Sequence, residues 1–190
     1  MGALEVVYLG RLSKQKNIGS LLEAWRSVAA QLGRAKLRII GDGPERRNLE
    51  RLANKLCISE SVIFEGHVDA AEERKWKLLD RASVFAFPST REGFPGAVLE
   101  AMAAGLPVVA YDLPAFQGWL TEGEHGFLVP INDYGQMADR LLKLLQNDSL
   151  RREISTRNVE YARRFTWERA ADQEESTLLC VLASWCRNRQ

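Results

Sequence analysis

Apolar residues along the chain follow two alternating periods, which predict strands that are each followed by a helix. Short apolar runs that end in glycine or a turn residue are typical of buried strands, and they cover residues 4–9, 36–40, 62–65, 83–87, 108–110 and 126–130. Apolar residues at helical spacing lie between them, in residues 18–32, 44–56, 97–104, 134–145 and 149–164 and in a segment carrying Trp76, Leu78 and Leu79. This alternation predicts an α/β fold, a Rossmann-like parallel sheet with helices on both faces.

Several of the helix starts carry residues that can act as N-caps. Asn17 and Asp133 each precede a helical segment, and their side-chain oxygens can accept hydrogen bonds from its first amides. Asp69 and Glu72 have the spacing of a capping box before the third helix. After residue 166, apolar residues again recur at helical spacing, so a last helix is expected at the C-terminus.

Cationic residues follow the first strand. Residues 10–17 form a polar loop with three cations, among them Arg11 and Lys16. Ligands of open α/β sheets bind beyond the carboxyl ends of the strands, and both arginine and lysine can hold phosphate oxygens there. From these residues alone, a solvated loop without a ligand is the alternative to a phosphate-binding loop.

Residues 92–107 are the stretch most typical of a binding site. Glu92 stands in a turn rich in glycine and proline, and Glu100 follows eight positions later on a short alanine-rich helix. Helical side chains lean toward the N-terminus, so Glu100 is expected to point toward that turn. The amides of Val98 and Leu99 are expected to be free and to suit an anion. Two carboxylates that bracket an anion site suit a ligand with a sugar, a ribose and a phosphate.

Composition limits the class of protein and of partner. The chain has 190 residues and a net charge of +1, which predicts one domain and gives no electrostatic reason to expect nucleic acid. No apolar run approaches the roughly 20 residues of a membrane span, and no signal peptide opens the sequence. Its three cysteines lack metal-site spacing and favour free thiols. A cytoplasmic location is expected, with membrane association of a longer parent enzyme left open.

The motif around the two glutamates resembles that of a known family. Glu92 and Glu100 in this Glu-Gly-Phe-Pro setting, followed by Gly-Leu-Pro-Val-Val, are similar to the paired-glutamate motif of retaining glycosyltransferases of family four. The Gly-Arg-Leu at residues 10–12 and the lysine after it match as well. The resemblance covers almost the whole chain and implies the C-terminal, donor-binding half of a two-domain GT-B enzyme. Residues 1–190 are thus expected to be one nucleotide-sugar-binding domain, with the N-terminal acceptor domain outside this chain.

The resemblance also implies roles for individual residues. Arg11 and Lys16 would hold the diphosphate, Glu92 the sugar hydroxyls and Glu100 the ribose. The residues expected to contact the donor are Gly10, Arg11, Lys16, His67, Val68, Glu92, Gly93, Phe94, Pro95, Gly96, Val98, Leu99 and Glu100; Arg11, Lys16 and Glu92 are those expected to act in catalysis. The implied reaction is transfer of a hexosyl group from a nucleotide diphosphate sugar with retention, without a metal or cofactor. A glycan, lipid or small-molecule acceptor would bind the missing domain, so the isolated chain is expected to be inactive.

Other readings stay open at this point. A non-catalytic nucleotide-sugar-binding partner module would share every donor-side residue, and a nucleotide-sugar epimerase would share the fold. A dinucleotide-dependent oxidoreductase is disfavoured, because no glycine fingerprint follows the first strand and no acid follows it at ribose distance. Gly41 and Gly43 alone more simply predict a tight turn near the ligand. His67 could be a general base, but no nucleophile or metal partner is near it in sequence. The resemblance instead implies a place beside the nucleotide base, without a catalytic role. The base, the sugar, the acceptor and the oligomeric state remain undetermined.

Overall fold

The computed structural model describes residues 4–69 and 73–165. Its centre is a parallel sheet of six strands, in the order β3-β2-β1-β4-β5-β6. The strands are β1 (Glu5–Leu9), β2 (Lys36–Ile40), β3 (Val62–Gly66), β4 (Val84–Phe87), β5 (Val108–Tyr111) and β6 (Gly126–Val129). Each of them lies where the apolar runs predicted a strand, and the expected Rossmann-like α/β fold is confirmed.

Two layers of helices accompany the sheet. The helices are α1 (Ile18–Gln31), α2 (Arg46–Lys55), α3 (Glu73–Asp80), α4 (Gly96–Ala103), α5 (Tyr134–Gln146) and α6 (Asp148–Ala162). Helix α1 packs against α2 and α5, whereas α4 packs against α6. Leu78 and Leu79 of α3 are buried as their spacing predicts, while Trp76 is 40% exposed. The helix expected after residue 166 lies outside the described residues.

The strand order explains why the central strands read as continuous apolar runs. Strands β1, β4 and β5 are flanked on both sides, and almost all their residues are buried, as in a parallel sheet covered on both faces. Strand β4 pairs with β1, although β2 and β3 come between them in sequence. The chain therefore changes its direction of travel across the sheet between β1 and β4. In open α/β sheets the crevice beyond the carboxyl ends of such a strand pair is the usual ligand site.

The helix caps agree with the sequence in one case and differ in another. Asp133 caps α5 as expected, since its Oδ1 accepts a hydrogen bond from the Gln136 amide at 2.8 Å. Asn17 does not cap α1 with its side chain: its backbone is left-handed, at φ 50°. The Asn17 Nδ2 instead donates to Asn132 Oδ1 at 2.8 Å. The capping box expected at Asp69 and Glu72 lies partly outside the described residues, because Glu72 is not among them.

A chain of charged side chains ties α3 to the sheet, which the sequence did not predict. Arg38 on β2 binds Glu5 on β1, with its Nε 2.6 Å from Oε1, and also contacts Glu65 on β3. Arg74 of α3 completes the chain, with its Nη2 2.6 Å from Glu65 Oε2. The hydrogen bond to Glu5 is the main cause that raises the pKa of Arg38. The beginning of α3 is thereby held against the first three strands.

Candidate functional site

The loops that follow β1 and β4 are hydrogen-bonded to each other. A 3-10 helix at Lys14–Lys16 lies in the first loop. The amide and the hydroxyl of Thr90 in the second loop donate to the Gln15 carbonyl at 3.0 and 3.1 Å. The Gln15 side chain donates in return to the Arg91 carbonyl at 2.5 Å. The two loops therefore form one structural unit at the carboxyl ends of β1 and β4, the strand pair at which the chain reverses its path across the sheet.

This unit brings Lys16 and Glu92 into direct contact, as the sequence analysis placed them in one site. The Lys16 Nζ lies 2.5 Å from Glu92 Oε1, and their side chains are 21% and 9% exposed. The same ammonium lies 5.4 Å from the centroid of the Phe87 ring. A lysine and a carboxylate are thus held together, partly shielded from water, where the two loops meet.

Tyr8 supports the loop that carries Arg11. Its hydroxyl donates to the Arg11 carbonyl at 3.1 Å. Burial raises the pKa of Tyr8, and the nearby Glu92 carboxylate raises it further, so the hydroxyl stays protonated and remains a donor. The sequence showed Tyr8 only as a residue of an apolar strand, and its hydroxyl was missed as part of the site.

A cleft of about 380 Å³ opens beside these loops; it is lined by Leu9, Gly10, Arg11, Ile40, Gly41, Asp42, His67 and Val68. Arg11 is exposed, and its guanidinium has no hydrogen-bond or ion-pair partner among residues 4–69 and 73–165. His67 is exposed and Val68 is buried. The structure thus brings together four of the residues expected to contact a donor: Gly10, Arg11, His67 and Val68.

Close backbone packing shapes this cleft. Gly41 has a φ of +134°, and a Cβ on it would lie 2.0 Å from the Gly10 carbonyl oxygen. The Gly10 amide donates to the Ile40 carbonyl at 3.0 Å, and the Gly41 amide donates to the Gly66 carbonyl at 2.8 Å. The turn predicted at Gly41 is therefore confirmed as a place where only glycine lets the loops meet.

Glu100 on α4 faces a residue that the sequence analysis missed. The Nζ of Lys75 on α3 lies 3.0 Å from Glu100 Oε1, and the two side chains are 5% and 38% exposed. Lys75 precedes Leu78 and Leu79 by three and four positions, so it shares their buried face. The signal in the sequence that could have identified Lys75 was its helical spacing from these two leucines.

The beginning of α4 corrects one expectation. The Val98 amide donates to the Pro95 carbonyl at 2.9 Å, and the Gly96 amide donates to the Phe94 carbonyl at 3.0 Å. These bonds tighten the first turn, so the free amide expected at Val98 is not found. The Val98 side chain is fully buried as well, and Leu99 packs against the core. Neither side chain faces the crevice as an exposed group.

The turn before α4 is more open than the helix start. In the described part of the chain, the amides of Gly93 and Phe94 donate no backbone hydrogen bond. Phe94 is 63% exposed, and its ring stacks on Trp119 with the centroids 5.8 Å apart. Two amides and an aromatic face are therefore available next to Glu92.

The described residues contain neither a cluster of metal ligands nor a helix that could span a membrane. Residues 4–69 and 73–165 contain no group of three or more His, Cys, Asp or Glu side chains that could hold a metal ion. None of the helices in the same ranges combines the length and the apolar character that crossing a membrane requires.

Comparison with known proteins connects this geometry to a family. The model of the family Glycosyl transferases group 1 matches residues 2–163 of the chain. A phosphatidyl-myo-inositol mannosyltransferase from Mycobacterium leprae is 39% identical over 170 residues, which cover 88% of this chain and 44% of that protein.

Solved structures agree with the observed fold. The sucrose-phosphate synthase of Thermosynechococcus elongatus aligns with a TM-score of 0.85 and 28% identity, over 96% of this chain and 46% of that one. Anabaena HepE, solved with UDP and glucose, aligns with a TM-score of 0.82 and 23% identity, over 93% of this chain and 48% of that one. These neighbours are GT-B glycosyltransferases, and the chain spans less than half the length of each protein compared here.

Proposed function

The chain belongs to the group 1 glycosyl transferases, and we propose that it is the donor-binding half of a hexosyltransferase that uses a nucleotide diphosphate sugar. The observation that carries the proposal is the contact of Lys16 with Glu92 at 2.5 Å, in the loop that also carries Arg11, whose guanidinium has no partner among the described residues. Cations and a carboxylate at one crevice suit a ligand whose phosphates and hydroxyls lie next to each other.

Arg11 and Lys16 have different surroundings, and their proposed roles follow from that difference. Arg11 is exposed and has no partner to give up in the described residues, and its planar fork can bind two phosphate oxygens at once. Lys16 is held over Phe87 and beside Glu92, so it is already oriented before a ligand arrives. We therefore assign both to the diphosphate, with Lys16 placed where phosphate and sugar meet.

The proposed reaction follows from where charge develops. When the bond between sugar and diphosphate breaks, the leaving nucleoside diphosphate gains negative charge, and cations that are already in place stabilise it without reorganisation. Arg11 and Lys16 supply those cations, so the proposed transfer needs no metal. Glu92, with the amides of Gly93 and Phe94, would hold the sugar hydroxyls while this happens. Retention of the anomeric configuration is proposed from the resemblance of the Glu92–Glu100 motif.

The remaining donor contacts are assigned by position. Glu100 is the fifth residue of α4, the helix that follows the Glu92 turn, and would accept hydrogen bonds from the ribose. His67 and Val68 line the same cleft as Arg11, which suits the nucleotide base at that end. The names of the compared proteins support a hexose donor, since one is a mannosyltransferase and another was solved with UDP and glucose.

We further propose that acceptor binding needs a second domain. The compared proteins are about twice as long as the part that this chain matches, and a GT-B reaction takes place between two domains. The 190-residue chain is then a donor-binding unit without transfer activity of its own. Steady turnover of a nucleotide diphosphate sugar by the purified chain alone would contradict this part of the proposal.

Calorimetric titration of the chain with UDP, GDP and ADP, without divalent metal, tests the proposed function. We expect one of the three to bind, and Arg11→Ala to weaken that binding by roughly tenfold or more, because hydrogen bonds to charged groups contribute about 1.5–3 kcal/mol. Arg34→Ala is the matched control, since Arg34 is also exposed but lies in the loop before β2, at the other end of the sheet. Equal losses in both variants, or no binding of any of the three, would contradict the proposal.

A further inference from the structure

Lys75 is a buried charge that the proposed chemistry leaves without a role. It is 4% exposed, and burying an ammonium is unfavourable unless it is paired. Its Nζ lies 3.0 Å from Glu100 Oε1 and 4.5 Å from the centroid of the Trp76 ring. A leucine or methionine at this inward position of α3 would fill the same space without that cost. The charge itself therefore calls for an explanation.

The ion pair is asymmetric in a way that suggests its purpose. Lys75 is buried, whereas the Glu100 side chain is 38% exposed. Within the described residues Lys75 holds Oε1, and Oε2 accepts no hydrogen bond. An ionised carboxylate has about four acceptor positions, so Lys75 occupies one and leaves the others for further donors. The pair holds one oxygen of the carboxylate on the buried side and leaves the partly exposed remainder accessible.

The helix that carries Lys75 is itself held in place. Arg74, its neighbour on α3, binds Glu65 of β3, and Arg38 joins Glu65 to Glu5 of β1. Helix α3, which carries Lys75, is thus attached through Arg74 and these ion pairs to β1, β2 and β3. A polar group keeps its orientation best when it is supported by such a rigid element.

We propose that Lys75 is a positioning residue that fixes the Glu100 carboxylate to receive the two hydroxyls of a ribose. The inference rests on the proposed function, which places the nucleotide ribose at Glu100. Without Lys75, the partly exposed Glu100 side chain would sample several rotamers, and a nucleotide would have to order it on binding. Lys75 acts through Glu100 and touches no reacting atom, so its effect is on nucleotide affinity and on the recognition of ribose.

The melting temperatures of two variants distinguish a positioning role of Lys75 from a structural role. Lys75→Met replaces a buried ammonium by an apolar chain of similar size, and the remaining Glu100 carboxylate can be solvated. Removing one partner of a buried pair is destabilising when the remaining charge stays buried, and the partly exposed Glu100 avoids that cost. Glu100→Ala instead leaves the Lys75 ammonium buried without its partner, which is destabilising. We therefore expect Lys75→Met to keep or raise the melting temperature and Glu100→Ala to lower it.

The test compares a ribonucleoside diphosphate with its 2′-deoxy form by calorimetry, using whichever of UDP, GDP and ADP the wild-type chain binds. For Lys75→Met we expect roughly tenfold weaker binding of the ribonucleotide and a smaller preference for it over the deoxynucleotide. Lys75→Arg, which keeps a cation, should restore part of both. Lys77→Met is the matched control, because Lys77 pairs with Glu73 on the exposed face of the same helix.

A double variant decides whether Lys75 acts through Glu100. If it does, adding Lys75→Met to Glu100→Ala should not weaken ribonucleotide binding further. Additive losses, an unchanged affinity of Lys75→Met, or a loss accompanied by a lower melting temperature and an unchanged ribose preference would each overturn the inference while leaving the proposed function intact. A wild-type chain that binds none of the three nucleotides would overturn both.

Discussion

Lys16 and Glu92 lie within 2.5 Å of each other, although 76 positions separate them in the chain. In the absence of a ligand the carboxylate neutralises the lysine. A diphosphate that binds at Arg11 would offer Lys16 a second anionic partner, and the ammonium has three donors with which to serve both. In the proposed site the contact would therefore link the recognition of phosphate to the orientation of the Glu92 carboxylate.

Replacing Lys16 should separate phosphate recognition from recognition of the nucleoside. For Lys16→Met we expect nucleoside diphosphate binding to weaken by roughly ten- to a hundredfold, and binding of the nucleoside without phosphates to stay the same. Lys14→Met is the control, because Lys14 is exposed in the same 3-10 helix. Calorimetry with both ligands measures the difference, and equal losses for the two ligands would argue against a phosphate contact.

His125 supplies a pH dependence of stability that is distinct from the site. Its Nδ1 accepts a hydrogen bond from the Thr121 amide at 3.0 Å. Burial lowers its pKa; Glu124 opposes this, while Arg157 and Arg164 add to it. Because the unfolded chain takes up the proton at about pH 6.5 and the folded chain only at lower pH, stability should fall as the pH drops below about 6.5.

A variant isolates this contribution. His125→Asn keeps an acceptor for the Thr121 amide but does not titrate, so it should lose less stability than the wild type between about pH 7.5 and 5.5. Urea unfolding at the two pH values measures the difference. An identical loss in both proteins would show that His125 does not contribute to the pH dependence.

At the scale of elements, the loops after β1, β2 and β3 meet through glycine. Gly41 at φ +134° lies where a Cβ would be 2.0 Å from the Gly10 carbonyl oxygen. We expect Gly41→Ala to lower the free energy of unfolding by about 2 kcal/mol or more, through backbone strain and the displaced loop. Gly33→Ala is the control, because its Cβ would meet no atom within 4 Å. Denaturant unfolding of both variants checks this, and similar stabilities would contradict the packing described.

The elements that the sequence predicted well are those determined by local periodicity. Each strand is a short apolar run, and α1 or α5 has an apolar face that recurs every three to four residues. Asp133 caps α5 because one residue and one nearby amide suffice for that bond. Asn17 did not follow the same rule, since its left-handed backbone and its contact with Asn132 depend on a loop far away in sequence.

What the sequence did not predict depends on contacts between distant elements. The adjacency of β1 and β4 places Lys16 beside Glu92; no local pattern contains that information, and the sequence analysis put the two residues in one site only through the family resemblance. Lys75 was overlooked because an isolated lysine on a helix is usually exposed. The Val98 amide was expected to be free, but it bonds to Pro95 because the first turn of α4 is tight.

At the scale of the whole molecule, the central proposal is that a nucleoside diphosphate binds at the carboxyl ends of β1 and β4. The sheet order, the joined loops and the ion pair all lie at that one edge. A different groove, of about 750 Å³, lies beside the start of β2 and includes Arg26, Lys55 and Cys57. That groove also carries cations. The place at which the nucleotide binds therefore distinguishes a donor site from non-specific attraction of an anion.

An NMR titration of the 15N-labelled chain with the nucleoside diphosphate that it binds measures that position directly. We expect the amide signals of residues 10–17 and 92–100 to shift together with one dissociation constant, and those of Gly33 and Cys57 to stay in place. Shifts that centre on Gly33 and Cys57, with residues 10–17 unchanged, would contradict a donor site at the β1–β4 edge.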